Sequence, residues 1–199
     1  MRRSAALDPT DLFASEALPA GLVYRADFLS SQEETRLSDR IAGLTLRPAP
    51  YKDYLARRRV ASFGSAYDFD SQRLNAAPPL PDFLEPLRAR VAGELGVEPE
   101  RLQHVLVTEY APGTPLGWHR DAPEFDCIAG VSLAGPCELR WRRFPPGSGD
   151  PVLRLEVAPR SLYLLSGEAR WGWQHSVAPT RNLRYSITLR TLHSRAEPR

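Results

Sequence analysis

The sequence predicts one mainly β domain of the α+β class, in which N-terminal helices pack on an antiparallel sandwich or barrel. After residue 103, short runs rich in Val, Leu, Ile, Thr, Tyr and Trp are separated by Gly and Pro clusters, a spacing typical of antiparallel strands. The N-terminal half instead contains two segments with helical apolar spacing. The β-rich runs lie at 104–110, 127–133, 137–143, 152–157, 161–165 and 183–192.

The first helix is marked by its capping residues. Residues 1–20 mix Pro, Ala and acidic groups without a clear period, so we expect an irregular lead-in. Ser30 and Glu33 then form a capping-box pattern, in which each side chain accepts a hydrogen bond from the other residue's backbone N–H. Leu37 and Ile41 follow at a spacing of four, which predicts an amphipathic helix from this point.

The segment from 47 to 80 alternates basic, aromatic and small residues and ends in a proline cluster. We expect a short strand or two followed by a surface loop. A second helix is predicted after it, with its regular part beginning around Pro86 and its end near Gly96.

The two cysteines are predicted to be reduced thiols. Cys127 and Cys137 flank a predicted Gly135-Pro136 turn, and a hairpin there would pair Cys137 with Ser132 rather than with Cys127. A chain of 199 residues buries about 70% of its unfolded surface on folding, so its core needs no disulfide. Free thiols are typical of a reducing compartment.

Composition gives little support for a membrane partner. No apolar run has the length of a signal peptide or of a membrane span, so we expect a soluble, cytoplasmic protein. We also expect a monomer. The net charge of +2 is too small to indicate a nucleic-acid partner by itself.

Three side chains in the β-rich part could converge on a metal ion: His119, Asp121 and His175. In an extended backbone, residues two apart point to the same side, so one strand end offers the imidazole of His119 and the carboxylate of Asp121 together. A histidine on a facing strand, His175, would complete the site. Two imidazoles and one carboxylate leave three positions of an octahedron open, as in non-haem iron(II) oxygenases.

Two arginines lie six residues apart on one predicted strand. Arg184 and Arg190 therefore share a face, with Cα atoms separated by roughly 20 Å at ~3.3 Å per residue. Because each guanidinium reaches part of the way back, the remaining gap suits a five-carbon diacid with one arginine near each carboxylate. The alternative is a plain exposed strand face. A zinc hydrolase could use the same three metal ligands, but this arginine pair would then have no role.

In their order along the chain, these motifs resemble those of the AlkB-type alkylation-repair dioxygenases, which depend on Fe(II) and 2-oxoglutarate. The resemblance covers residues 104–191. It rests on Tyr-Ala-Pro-Gly at 110–113, Leu-Gly-Trp-His-Arg-Asp at 116–121, Val-Ser-Leu at 131–133, Ser-Gly-Glu-Ala-Arg at 166–170 and the strand from 184 to 190. It implies a double-stranded β-helix, or jelly-roll, over 104–192 within a single domain that spans 1–199.

The resemblance also implies roles for individual residues. The three candidate metal ligands would hold iron. Arg184 is expected at the distal carboxylate of 2-oxoglutarate and Arg190 nearer its metal-chelating end. Tyr110 would hydrogen-bond this co-substrate, and Thr108 and Ser186 stand where the best-known relatives carry asparagines.

The implied reaction divides O2 between two substrates: 2-oxoglutarate loses CO2, an N-methyl group on alkylated DNA or RNA is hydroxylated, and formaldehyde leaves.

The family's N-terminal part forms a lid that binds the nucleotide, and residues 47–80 correspond to it here. Basic and aromatic side chains in a lid pair with phosphate and stack an extruded base. The alternative is a solvated hairpin whose aromatics anchor it to the core. The candidate substrate-binding residues are Tyr51, Arg58, Arg59, Phe63 and Tyr67.

Two other functions stay open at the level of sequence. The same oxygenase chemistry could act on protein side chains, for which phosphate-binding arginines are not needed. A metal-free module could instead use the barrel and its basic strands to bind nucleic acid, although it would need neither the metal triad nor the arginine pair.

Overall fold

The computed structural model describes residues 18–51, 54–68 and 71–193, and this part of the chain forms thirteen strands and three α-helices. The helices are α1 (Ser31–Ala42), α2 (Glu85–Leu95) and α3 (Gly167–Trp171). The strands are β1 (Leu22–Arg25), β2 (Arg47–Tyr51), β3 (Tyr54–Phe63), β4 (Ser65–Asp68), β5 (Arg73–Ala76), β6 (Leu102–Tyr110), β7 (Leu116–His119), β8 (Phe125–Leu133), β9 (Cys137–Arg143), β10 (Leu153–Val157), β11 (Leu162–Leu165), β12 (Trp173–Val177) and β13 (Arg184–Leu192).

The two longer helices begin and end where their capping residues predict. Ser30 Oγ accepts a hydrogen bond from the Glu33 N–H at 3.2 Å, and Glu33 Oε2 accepts one from the Ser30 N–H at 2.8 Å. This reciprocal pair satisfies two N–H groups that the first turn leaves without helical partners. Helix α2 ends at Gly96, whose φ of +65° is a left-handed conformation that glycine adopts without a Cβ clash.

The strands form two main antiparallel sheets and a separate hairpin. The large sheet has the order β1-β11-β8-β13-β6-β3-β2, and the small sheet has the order β10-β9-β12-β7. Strands β4 and β5 pair only with each other. Strand β13 lies at the centre of the large sheet, where β8 and β6 pair with its two edges. All of its residues but the last are buried, so both of its faces are covered.

The large sheet separates two hydrophobic cores. Helices α1 and α2 cover one face, where Ile41 and Val91 pack with strand residues such as Val107. The small sheet covers the other face, where its buried Trp141 packs in a cluster with Ile128 of β8. The polar residues of β13 on this second face therefore point into the space between the two sheets.

The connection between β8 and β9 differs from the predicted hairpin. Strand β8 pairs with β11 and β13, whereas β9 pairs with β10 and β12 in the other sheet. The predicted pairing of Cys137 with Ser132 was wrong, because the chain crosses between sheets at the Gly135-Pro136 turn. Cys127 and Cys137 are nevertheless both free thiols, as expected.

Residues 47–80 contain more β-structure than the sequence predicted. Strand β3 extends the large sheet because its residues 59–63 pair with β6, and β2 then pairs with β3 at the edge. Strands β4 and β5 follow as the separate hairpin. None of the helices in the described ranges is long and apolar enough to cross a membrane.

Candidate active site

Two strands of the small sheet bring the predicted metal ligands together. His119 ends β7 and lies opposite His175 of β12 in the register, with ring centres 4.3 Å apart. Asp121 follows two residues after His119, where the chain leaves the strand. Ligand atoms of these three residues all lie within 4.8 Å of one another, so one metal ion could contact all of them.

Both histidines are set up as neutral ligands. Burial lowers the pKa of His119, and burial together with the neighbouring His119 lowers the pKa of His175 to about 3. His119 Nδ1 lies 2.9 Å from the backbone oxygen of Gly117, and because a carbonyl only accepts, Nδ1 carries the proton. The lone pair of His119 Nε2 is therefore free for a metal.

Asp121 supplies a carboxylate with one oxygen in use and one without a partner. Burial alone would raise its pKa, but nearby positive charge, that of Arg190 above all, outweighs burial and holds the pKa well below its ordinary value. Arg190 donates to Asp121 Oδ1 from Nε at 2.8 Å, and its Nη2 forms an ion pair with the same oxygen at 2.6 Å. Asp121 Oδ2 is buried, has no hydrogen-bond partner in the described part of the chain and lies 3.6 Å from His175 Nε2.

This donor set fits Fe(II). A buried, ionised carboxylate oxygen without a partner is costly unless a cation binds it. Two neutral imidazoles and one carboxylate on one side of a cation are the facial triad of non-haem iron(II) enzymes, which leaves positions for O2 and a co-substrate. His119, Asp121 and His175 would therefore hold the iron.

Arg170 of α3 holds the loop that carries Asp121. Its side chain is 3% exposed, and its Nη2 donates to the backbone oxygens of Ala122 at 2.7 Å, Phe125 at 2.8 Å and Asp121 at 3.2 Å. Three carbonyls from one turn are thus tied to a single guanidinium. Although the segment containing Arg170 matched a family motif, nothing in the sequence indicated this contact.

The two arginines of β13 occupy the same side of the large sheet as the metal ligands. Arg184 is 1% exposed, its Nε donates to Ser132 Oγ at 3.0 Å, and its Cζ lies 5.1 Å from the ring centre of Tyr110. Arg190 lies at the metal end, where it contacts Asp121. Guanidinium groups therefore stand at two positions along one strand face.

The remaining predicted co-substrate residues lie between or beside these arginines. Tyr110 is opposite Arg184 in the register, and Thr108 is opposite Ser186. Thr108 and Ser186 are both buried, and their position two residues along from Tyr110 and Arg184 places them on the same face. This face of the sheet is thus polar over its central strands, in contrast to the apolar face under the helices.

His104 lies buried behind the metal end of the site. Its Nδ1 lies 3.1 Å from Arg190 Nη1. Burial and the charge of Arg190 lower the pKa of His104 to about 3, so the ring is neutral and Nδ1 accepts from the guanidinium. His104 thereby helps to fix the guanidinium that orients Asp121.

The candidate lid residues divide between the two faces of the sheet. The charge of Arg58 helps to lower the pKa of His119, and it counteracts the rise that burial causes in the pKa of Tyr110. The Arg58 charge is therefore close to the site. Arg59 points to the opposite face, where its Nε and Nη2 donate to the two carboxylate oxygens of Glu109 at 2.8 Å. We therefore leave Arg59 out of the substrate-binding surface.

The aromatic lid residues divide in the same way. Tyr67 of β4 lies edge-on to Phe125, with ring centres 6.3 Å apart, on the side of the site. Phe63 is buried in the core beneath the helices and is also left out of the substrate-binding surface. The side chain of Tyr51 lies outside the described residues.

Comparisons with known proteins agree with this geometry. The profile of the 2OG-Fe(II) oxygenase superfamily matches residues 21–193. The "Alkylated DNA repair protein ALKBH8 homolog" of Arabidopsis thaliana is 31% identical over 192 residues, which cover 85% of this chain and 54% of that protein. The "tRNA (carboxymethyluridine(34)-5-O)-methyltransferase alkbh8" of Xenopus tropicalis is 30% identical over 173 residues, which cover 83% of this chain and 26% of that protein. The chain thus spans about half or less of the length of these relatives.

A solved structure supports the fold. The structure of OsALKBH1 superposes on this chain with a TM-score of 0.68 at 15% sequence identity, covering 88% of this chain and 98% of the other. At this low identity the likeness concerns the fold alone. It confirms the predicted jelly-roll with helices on one sheet.

Proposed function

Because the chain belongs to the 2OG-Fe(II) oxygenase superfamily and is AlkB-like, we propose that it removes alkyl groups oxidatively from nucleobases in DNA or RNA. The observation that carries this proposal is the arrangement of the triad and the arginine pair on one polar surface between the sheets. A metal-free binding module has no use for this arrangement.

The chain's own residues bind and orient the reactants. Arg184 binds the distal carboxylate of 2-oxoglutarate through charge-assisted hydrogen bonds, with Tyr110 beside it and with Thr108 and Ser186 along the pocket wall. Arg190 keeps the Asp121 carboxylate ionised and oriented, and the two packed sheets exclude water. When bound, iron supplies the centre at which O2 is reduced as 2-oxoglutarate loses CO2.

The overall reaction balances without a further reductant. One oxygen atom of O2 enters the carboxylate of succinate, the product that 2-oxoglutarate leaves after losing CO2. The other oxygen atom becomes the hydroxyl of an N-hydroxymethyl group. The C–N bond of that group then breaks, so that formaldehyde leaves and the base nitrogen regains a proton.

Basic and aromatic side chains near the site support a nucleic-acid substrate. Arg58 and Tyr67 lie on the side of the metal ligands, as described above. On the outer face of the small sheet, the Cζ atoms of Arg140 and Arg142 lie 5.5 and 4.6 Å from the ring centre of Trp118, the residue before the metal ligand His119. In the described ranges these two arginines contact Ser176 and Gln174 rather than carboxylates, so their charges remain available to phosphate.

The names of the relatives indicate which nucleic acids to test first. The Arabidopsis relative is named for repair of alkylated DNA, and the Xenopus relative is named for a modified uridine of tRNA. The chain matches only part of each relative. Alkylated DNA and modified tRNA are therefore proposed as alternative nucleic-acid substrates.

The test is mass spectrometry of products from a panel of substrates incubated with protein, Fe(II), 2-oxoglutarate and O2. The panel holds N-methylated DNA and RNA oligonucleotides, a tRNA anticodon stem–loop with carboxymethyluridine at its wobble position, and a methylated peptide. We expect loss of 14 mass units per methyl group removed from an oligonucleotide, and no loss with Asp121→Ala. Oxidation of the peptide alone would assign the same chemistry to a protein substrate.

A further inference from the structure

Tyr163 occupies a position between the sheets that only a neighbouring glycine permits. It lies on β11, directly opposite Gly130 of β8 in the register. A Cβ atom at residue 130 would stand 2.1 Å from Tyr163 Cζ and 2.4 Å from its hydroxyl oxygen. The phenol end of the ring therefore lies over the backbone of Gly130, and the hydroxyl stands above β8.

The sheet register places this hydroxyl on the polar face that carries both arginines of β13. Gly130 is opposite Thr188 of β13, which stands between Arg184 and Arg190 on the polar face. Residues two apart on a strand share a face at a spacing of roughly 6.6 Å. The ring of Tyr163 thus ends above β8, at a level along the strands between those of the two arginines, on the face that the small sheet covers.

Among the charges that act on the Tyr163 phenol, that of Arg184 has the largest effect. Because Arg184 Nε bonds to Ser132, the side chain is folded back along the strand toward the metal end. Ser132 lies two residues from Gly130 on the same face of β8, so the guanidinium and the Tyr163 hydroxyl flank the same part of the pocket. Burial raises the pKa of Tyr163, although the charge of Arg184 opposes this rise, and the hydroxyl is therefore a proton donor.

The Tyr163 hydroxyl makes no hydrogen bond within the described part of the chain and keeps some access to solvent, although the residue is only 7% exposed. A hydroxyl that opens into a pocket without a protein partner is available to donate a hydrogen bond to a bound ligand. We propose that Tyr163 donates a hydrogen bond to the distal carboxylate of 2-oxoglutarate, beside Arg184, and so contributes to selecting a five-carbon diacid. This role rests on the proposed use of 2-oxoglutarate as the co-substrate.

The test measures binding rather than turnover. Wild type and Tyr163→Phe are loaded with Fe(II) without oxygen, and each is titrated with 2-oxoglutarate and with pyruvate while the metal-to-ligand charge-transfer absorbance is recorded. Loss of a hydrogen bond to a charged group should raise the Kd of 2-oxoglutarate by about 10- to 100-fold. The Kd of pyruvate, which has no distal carboxylate, should change by less than about 3-fold.

Two further variants make the result specific. Tyr185→Phe removes the same atom from β13, on the face under the helices, and should leave both Kd values unchanged. Gly130→Ala should displace the Tyr163 ring and reproduce the selective loss of 2-oxoglutarate binding. Equal Kd values for wild type and Tyr163→Phe, or equal losses for both acids, would overturn the role of Tyr163. If wild type gave no charge-transfer band with either acid, the pocket and the proposed function would both be wrong.

Discussion

Arg170→Met tests whether one buried guanidinium holds the loop that carries Asp121. The substitution keeps an unbranched apolar side chain but removes every donor, so the carbonyls of Ala122 and Phe125 lose contacts of 2.7 and 2.8 Å. The Ala122 carbonyl keeps the Phe125 N–H as a donor at 3.1 Å. A buried carbonyl left without a donor costs about 1 to 3 kcal/mol, so loss of the contacts to the Phe125 carbonyl should lower the free energy of unfolding by about that amount. Iron affinity should fall as well, because Asp121 is no longer fixed.

The assay is urea denaturation of the metal-free protein, followed by competition for Fe(II) with a chelator. Arg143→Met is the matched control, since Arg143 makes an exposed ion pair with Glu168 of the same short helix. An exposed pair contributes about 1 kcal/mol or less, and this variant should keep its iron affinity. The reasoning would be refuted if Arg170→Met were no less stable than Arg143→Met and bound Fe(II) equally well.

Three further predictions address the site and its surroundings. Asp121→Ala should abolish Fe(II) binding and release of CO2 from 2-oxoglutarate, and retention of either would remove Asp121 from the triad. Arg58→Ala should reduce the log–log salt slope of oligonucleotide binding by about 0.7 to 0.9. Arg59→Ala should leave that slope unchanged, because Arg59 is paired with Glu109. His104 is neutral while it is buried, with a folded pKa of about 3, but it binds a proton in the unfolded chain below a pH of about 6.5. The stability of the metal-free protein should therefore fall as the pH drops from about 6.5 toward 3. In urea titrations at pH 5 and 7, His104→Gln should reduce the difference between the two free energies of unfolding. An unchanged difference would show that folding does not lower the pKa of His104.

The sequence was most informative where a short-range rule determines the structure. The capping box at Ser30 and the glycine at 96 placed both long helices, because caps depend on residues within one turn. The two-residue spacing of His119 and Asp121, and the six-residue spacing of the arginines, likewise follow from strand geometry alone. These local rules brought the candidate ligands together even though 116–119 and 173–177 were not among the predicted β-rich runs.

Long-range pairing could not be obtained in this way. The turn at Gly135-Pro136 has the composition of a hairpin, yet its two strands belong to different sheets. Alternation along β3 implies that Arg58 and Arg59 point to opposite faces, but which of them meets the site depends on how β3 pairs with β6. The contacts of Arg170 and the position of Tyr163 over Gly130 also join residues distant in sequence, and no local pattern marks them.

The central claim is tested most directly by the stoichiometry of a single reaction. Purified protein with Fe(II), O2 and 2-oxoglutarate is mixed with an N-methylated oligonucleotide, and succinate and formaldehyde are quantified together. We predict that the oligonucleotide stimulates succinate formation and that one formaldehyde appears for each additional succinate. Succinate formation that is unaffected by every methylated oligonucleotide, with no formaldehyde above background, would contradict a nucleobase demethylase.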